Sequence, residues 1–127
     1  MKIAFSHGAV AGIIAGIAGA AYNYAYSAAM WVDFSAVINA GSIFGACLFG
    51  TILTSLGYLL FSKVPMKGKD PIFNSVLLLL SFATFAGTFG FQLPFDIESP
   101  EMFVGLSIPL HLFPALFWLA TKPLFYK

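Results

Sequence analysis

The sequence predicts an all-α integral membrane protein built as a four-helix bundle, and three observations predict it. The 127 residues are 60% hydrophobic and 9% charged, whereas a soluble domain carries about 25% charged residues. Apolar stretches of roughly 20 residues are typical of membrane spans, and four of them fill almost the whole chain. The charged residues are confined to the segments that separate or flank these stretches. We therefore expect short loops and a single transmembrane domain over residues 1–127.

Helix boundaries are predicted from residues that begin or end helices. Asp70 precedes Pro71, which is the order of an N-cap residue and a proline in the first helical turn. Ser99 and Pro100 repeat this pattern before the last apolar stretch. The four predicted spans cover about residues 5–30, 36–62, 71–93 and 100–121.

Charge is distributed unequally between the two sides of the predicted bundle. The lysines precede the first span, follow the second or follow the fourth: Lys2, Lys63, Lys67, Lys69, Lys122 and Lys127. Four acids lie at the opposite ends of the spans: Asp33, Asp96, Glu98 and Glu101. We call these ends the lysine side and the acidic side. Because loops rich in lysine stay in the cytoplasm, both termini are predicted to be cytoplasmic.

Small residues recur every four positions in the first and second spans. The first line is Gly8, Gly12, Gly16 and Ala20, and the second is Ser42, Ala46, Gly50 and Thr54. Such lines let helix backbones approach closely in lipid, so we expect a glycine zipper in which the two lines face each other. Ala83 and Gly87 offer a shorter line in the third span. Packing of these residues against another subunit is the alternative.

One histidine, His111, lies in the fourth span between Pro109 and Pro114. Each proline lacks an N–H and leaves the carbonyl four residues earlier without its helical donor, which affects Gly105 and Leu110. We therefore predict a kinked fourth helix, with the imidazole either donating to a freed carbonyl or contacting a ligand or partner. Ionisable groups inside a membrane often mark functional sites.

The other histidine, His7, opens the first span on the lysine side. It is predicted to lie roughly 10–15 Å from the depth of His111, at about 1.5 Å per residue. One chain is therefore not expected to hold a haem between them, and no set of zinc ligands is present. No cofactor is expected. A haem or metal shared with a partner subunit through His111 stays open as an alternative.

Further polar residues are predicted in the half of the membrane nearest the acidic side. Asn23 and Tyr26 lie at the end of the first span, and Thr88 and Gln92 at the end of the third. They predict either a polar pocket that opens to the acidic side or a set of interhelical hydrogen bonds.

Several classes of function are disfavoured by composition. The chain has a net charge of +1 and no arginine, whereas nucleic-acid binding requires clustered basic residues. We find no nucleophile–base pair with an orienting partner, and so predict that the protein is not an enzyme. The four-span layout, with His111 and Leu112 in the last span, is similar to small bacterial four-span membrane proteins, which implies the bacterial inner membrane.

Abundant packing surface without catalytic groups predicts a non-catalytic accessory or assembly subunit of a larger integral membrane complex. The expected partners are the lipid bilayer and other membrane subunits, or further copies of the same chain. The alternative is a small homo-oligomeric channel or carrier that uses the polar pocket near the acidic side.

Overall fold

The computed structural model describes residues 1–126, except for the side chain of Phe85, and it is all-helical. Its helices are α1 (Lys2–Met30), α2 (Ala40–Phe61), α3 (Lys69–Ala83), α4 (Phe85–Gly90) and α5 (Met102–Phe125). α3 and α4 meet at Thr84 and together form the third span, Lys69–Gly90. Within the described residues, four helices are long and apolar enough to cross a membrane. The fold class is confirmed to that extent, and the prediction for Lys127 lies outside these residues.

Several helix ends differ from the predicted ones. α2 begins at Ala40 after the N-cap Asn39, and α5 begins at Met102 after Glu101, so Ser99 and Pro100 do not start it. The third span ends at Gly90.

The N-cap of α3 is Gly68, in the left-handed region at φ 71°. Asp70 lies inside the first turn because its carboxylate accepts from Tyr58 instead of capping the helix. α5 continues past Pro123 to Phe125, since losing one backbone hydrogen bond does not end a helix whose last turns are packed against neighbours.

α1 packs closely against α2 along its line of glycines. A Cβ added at Gly8 would lie 2.8 Å from the Cα of Ile52, and one at Gly12 would lie 2.8 Å from the Cα of Leu48. Thr51 Oγ1 donates to the carbonyl of Gly8 over 2.7 Å. Only glycine permits this backbone approach, which brings the two helices into contact through dispersion.

The small-residue line of α2 lies on a different face from the one predicted. Its four members line a groove on the side of α2 away from α1: Ser42, Ala46, Gly50 and Thr54. α1 instead meets Phe44, whose Cδ1 would lie 2.5 Å from a Cβ at Gly16. Residues two positions apart are about 200° apart around a helix, so Phe44 and Ala46 cannot face the same neighbour. A Cβ at Gly87 would meet nothing within 4 Å among the described atoms.

The core lies between α1, α2 and α5. Three buried clusters fill it from the lysine side to the acidic side, around Trp118, Cys47 and Phe34 respectively. α5 remains one helix through Pro109 and Pro114, and the kink stays a prediction. Every side chain of α3 is described and none is fully buried. Phe73 and Leu77 of α3 are partly buried against the cluster around Trp118, so the third span lies at the edge of this core.

Candidate functional site

A buried polar cluster on the lysine side joins α1, α2 and α5. His7 of α1 and Trp118 of α5 are both 0% exposed. Trp118 Nε1 donates to Ser55 Oγ of α2 over 2.7 Å. His7 Nε2 lies 3.1 Å from the carbonyl oxygen of Trp118 and 3.0 Å from Thr121 Oγ1. Three helices are thus connected by polar contacts that exclude water.

The partners of His7 determine its tautomer. The carbonyl of Trp118 can only accept, so Nε2 must carry the proton. Thr121 Oγ1 donates to the carbonyl of Phe117 over 2.7 Å, which leaves its oxygen free to accept from the same Nε2–H. His7 Nδ1 is then a bare lone pair in the neutral ring. No hydrogen-bond partner for Nδ1 occurs among the described residues.

Aromatic rings enclose the imidazole of His7. The ring centroids of Trp118, Phe125 and Tyr126 lie 4.7, 4.9 and 5.3 Å from it. The buried hydroxyl of Tyr126 also has no hydrogen-bond partner in the described part of the chain, and burial raises the pKa of Tyr126. A substrate could reach Nδ1 only by displacing one of these rings, so the geometry suits helix packing better than catalysis.

Lys122 connects the same cluster to the third span. Its Nζ lies 3.4 Å from Asp70 Oδ1 and 3.2 Å from Asn74 Oδ1. The ammonium also lies 4.3 Å from the ring centroid of Tyr58, and Tyr58 Oη donates to Asp70 Oδ1 over 2.7 Å. Because Lys122 is buried, these contacts compensate its charge where water cannot. They attach the start of α3 to the end of α5.

A groove of about 850 Å³ separates α2 from the third span, with α5 as its floor. It extends from Val37 and Phe91 near the acidic side to Gly57 and Phe73 near the lysine side. His111 lines it midway along α5. Most of the lining is apolar, and the small-residue line of α2 forms one wall.

The predicted polar residues near the acidic side divide between two places. Thr88 lines the groove together with His111. Tyr26 belongs to the cluster around Phe34, and its hydroxyl donates to the carbonyl of Met102 over 2.8 Å. Half-buried Asn23 and exposed Gln92 are not among the residues that line the groove. The structure therefore does not gather these residues into one pocket.

Tyr22 donates to one of the two carbonyls that the prolines of α5 leave without a helical donor. Pro109 leaves the carbonyl of Gly105 without its helical donor, and Tyr22 Oη donates to that oxygen over 2.9 Å. Tyr22 therefore supplies a donor to the carbonyl of Gly105, and donation from His111 to a freed carbonyl stays a prediction. The hydroxyl of Tyr22 on α1 can reach this carbonyl because the tyrosine side chain is long enough to cross to α5.

A second cavity of about 710 Å³ lies between the two loops of the acidic side. Asp33, Asp96 and Glu98 line it. Ser35 donates to the carboxylate of Asp33 through its backbone N–H over 2.9 Å, and hydrogen bonding by Ser35 lowers the pKa of Asp33. This hydrogen bonding favours the ionised form of Asp33.

The two histidines belong to separate sites. His7 contacts α5 at Trp118 and Thr121, seven and ten residues beyond His111, or about 10–15 Å along the helix at 1.5 Å per residue. This separation agrees with the predicted one. Among the described residues, no three His, Cys, Asp or Glu side chains are grouped to hold a metal ion.

Sequence reasoning did not find the cluster around His7. Its members come from positions far apart in the chain, with 111 residues between His7 and Trp118. One signal was available: Lys122 lies in the last turn of the fourth span, and Asp70 in the first turn of the third. Antiparallel neighbours place two such ends together, so an ion pair between them was predictable.

Comparison with known proteins gives no match to a family model, a curated protein or a solved structure. The class that the fold defines is a small helical protein with four helices suited to spanning a membrane.

Proposed function

We propose that the protein is a non-catalytic accessory or assembly subunit of a larger integral membrane complex. One observation carries the proposal: α3 has no fully buried residue, and its Phe73 and Leu77 are only partly buried against the core. In contrast, α1 has eight buried residues and α5 seven among their described residues. Helices in lipid associate through close packing, because lipid tails solvate apolar side chains as well as protein does. A span with so little packing of its own is suited to contact another subunit.

The outward surface of the third span has the composition of a helix interface. Ile72, Leu79 and Phe89 are exposed there and do not line the groove. Ala86 and Gly90 lie four positions apart and are also exposed. Large side chains beside small ones form the ridges and hollows that membrane helices use to interlock.

Photo-crosslinking tests this proposal. A photoreactive residue at Leu79 should give an adduct with another membrane protein, whereas the same residue at Ile17, exposed on α1, should label lipid. An adduct of twice the 13.6 kDa chain mass would support the homo-oligomeric channel or carrier instead. Lipid labelling alone at both positions would contradict both functions.

We further propose that the protein resides in a bacterial inner membrane with both termini in the cytoplasm. The support is the charge asymmetry: five described lysines lie on the lysine side, and the described acidic side carries four acids without a lysine. A reporter fused at the C terminus should be active only if it functions in the cytoplasm. A reporter inserted between Phe95 and Asp96 should be active only if it functions outside it, and the reverse pattern would contradict the orientation.

A further inference from the structure

We propose that the groove between α2 and the third span binds an acyl chain of an anionic phospholipid, with its headgroup against Lys63 and Lys67. This inference concerns a different surface from the outward face of α3 and does not depend on the proposed subunit function. It rests on the chemistry of the groove walls, the length of the groove and the charge at one of its ends.

Five hydroxyl groups in the groove walls already donate hydrogen bonds within the chain. Thr54 Oγ1 donates to the carbonyl of Gly50 over 2.7 Å, and Ser81 Oγ donates to that of Leu77 over 2.9 Å. The hydroxyls of Thr84, Ser107 and Ser42 likewise donate to carbonyls of their own chain. These side chains therefore present mainly carbon to the groove. A hydrocarbon chain fills such a surface without leaving polar groups unpaired.

The groove is longer than the hydrocarbon region of one leaflet. Along α2 its lining runs from Ser42 to Gly57, which is about 22 Å at 1.5 Å per residue. One leaflet provides about 15 Å, half of the roughly 30 Å hydrocarbon core. An acyl chain that enters from the lysine side therefore fits within the groove and leaves the end near the acidic side unfilled.

Positive charge is placed where the headgroup would lie. The loop that joins α2 to α3 closes the lysine-side end of the groove, and both Lys63 and Lys67 are exposed in it. The third lysine there, Lys69, donates to the carbonyl of Ser62 over 2.7 Å. Asp70 is compensated by Lys122. Two ammonium groups thus remain available for a phosphate, which lysine binds as a point charge.

Native mass spectrometry of the full chain tests this site. The protein is purified from membranes and exchanged into nanodiscs that contain phosphatidylglycerol and phosphatidylcholine with identical acyl chains. We expect one retained phosphatidylglycerol, preferred at least tenfold over phosphatidylcholine. The K63Q/K67Q variant should retain lipid without this preference, whereas the matched Lys2→Gln variant on the same side should behave like wild type.

A second variant tests the groove itself. Ala46→Phe projects a ring into the groove, since Ala46 is exposed and lines it. Its control is Gly45→Phe on the same helix, where an added Cβ meets nothing within 4 Å of the described atoms. Ala46→Phe should lose the retained lipid and Gly45→Phe should keep it.

Three results would overturn the proposal. The first is equal retention of the two lipids by wild type, and the second is unchanged retention in Ala46→Phe. The third is an adduct with another protein, rather than lipid, from a photoreactive residue at position 46, since a partner helix would then occupy the groove. If Ala46→Phe fails to fold, the lysine variant still decides the matter because both lysines lie outside the packed core.

Discussion

Lys122 Nζ lies 3.4 Å from Asp70 Oδ1, and this ion pair joins the last turn of α5 to the first turn of α3. The side chain of Lys122 is 11% exposed and that of Asp70 is 54% exposed. The pair therefore combines one shielded charge with one that water still solvates. Together with the packing of Phe73 and Leu77 against the cluster around Trp118, this contact attaches the third span on the lysine side.

Lys122→Met should loosen the third span while leaving the rest of the bundle assembled. We expect a loss of about 1 kcal/mol in unfolding free energy, because a half-exposed ion pair contributes little and the contact with the Tyr58 ring adds a similar amount at most. Equilibrium unfolding in mixed detergent micelles measures the change. Lys63→Met, at an exposed lysine, is the control and should have no effect. Equal stability of the two variants would contradict this role for the pair.

Tyr126→Phe should stabilise the protein. The hydroxyl of Tyr126 is buried without a hydrogen-bond partner among the described residues, and an unpaired buried hydroxyl costs about 1–3 kcal/mol. Removing this hydroxyl should raise the unfolding free energy by up to about 1 kcal/mol, because the folded protein no longer contains an unpaired buried polar group. Thermal unfolding in detergent detects this gain.

Tyr26→Phe provides the comparison for that variant. Its hydroxyl donates to the carbonyl of Met102, so the same chemical change should lower stability here. If Tyr126→Phe were also destabilising, a bridging water between the Tyr126 hydroxyl and His7 Nδ1 would be the physical explanation. Combining Tyr126→Phe with His7→Phe would then show that the two effects are not additive.

Gly12→Ala should destabilise the contact between α1 and α2. The new methyl group would lie 2.8 Å from the Cα of Leu48 and 2.5 Å from Thr51 Oγ1, so the helices must separate. Overpacking of this kind costs about 1–3 kcal/mol. The matched variant is Gly45→Ala, which meets no described atom within 4 Å and should gain up to about 1 kcal/mol from helix propensity. Unfolding in micelles measures both variants. If Gly12→Ala and Gly45→Ala changed the unfolding free energy equally, α1 would not pack closely against α2 at Gly12.

The spans were predictable from the sequence because their signals are local. Apolar length and flanking charge are properties of consecutive residues, so all four helices were found with small errors at their ends. The predicted end of the fourth span before Pro123 was wrong. Whether a helix continues past a proline depends on the packing of the turns beside it. In α5 those turns contain buried Trp118 and Lys122.

The neighbours of each helix were less predictable. A line of small residues identifies a face of a helix but not the element that covers it. The α1 line meets α2 at Gly8 and Gly12, whereas the α2 line that includes Ala46 borders the groove. His7 was missed for the same reason, since only the folded chain brings it to Thr121.

Tyr22→Phe distinguishes the hydrogen bond seen here from the one predicted for His111. Removing the Tyr22 hydroxyl removes a donor to the carbonyl of Gly105, and Pro109 has no N–H to replace it. The expected cost is about 0.6–1.7 kcal/mol, the range measured for hydrogen bonds between membrane helices. His111→Leu should cost less than Tyr22→Phe, since His111 is exposed on the groove. Unfolding in micelles compares the two variants directly.

His111→Gln is the control, because it keeps a donor at the same depth. If His111 supported the backbone of α5, the leucine variant would lose more stability than the glutamine variant and at least as much as Tyr22→Phe. We expect instead a smaller loss of stability in the leucine variant than in Tyr22→Phe. Absorbance spectroscopy and metal analysis of the purified wild-type protein test the alternative role of His111 as a ligand of haem or a metal. A haem band or a stoichiometric metal that disappears in both His111 variants would establish His111 as a ligand, and its helix would then carry a cofactor shared with a partner.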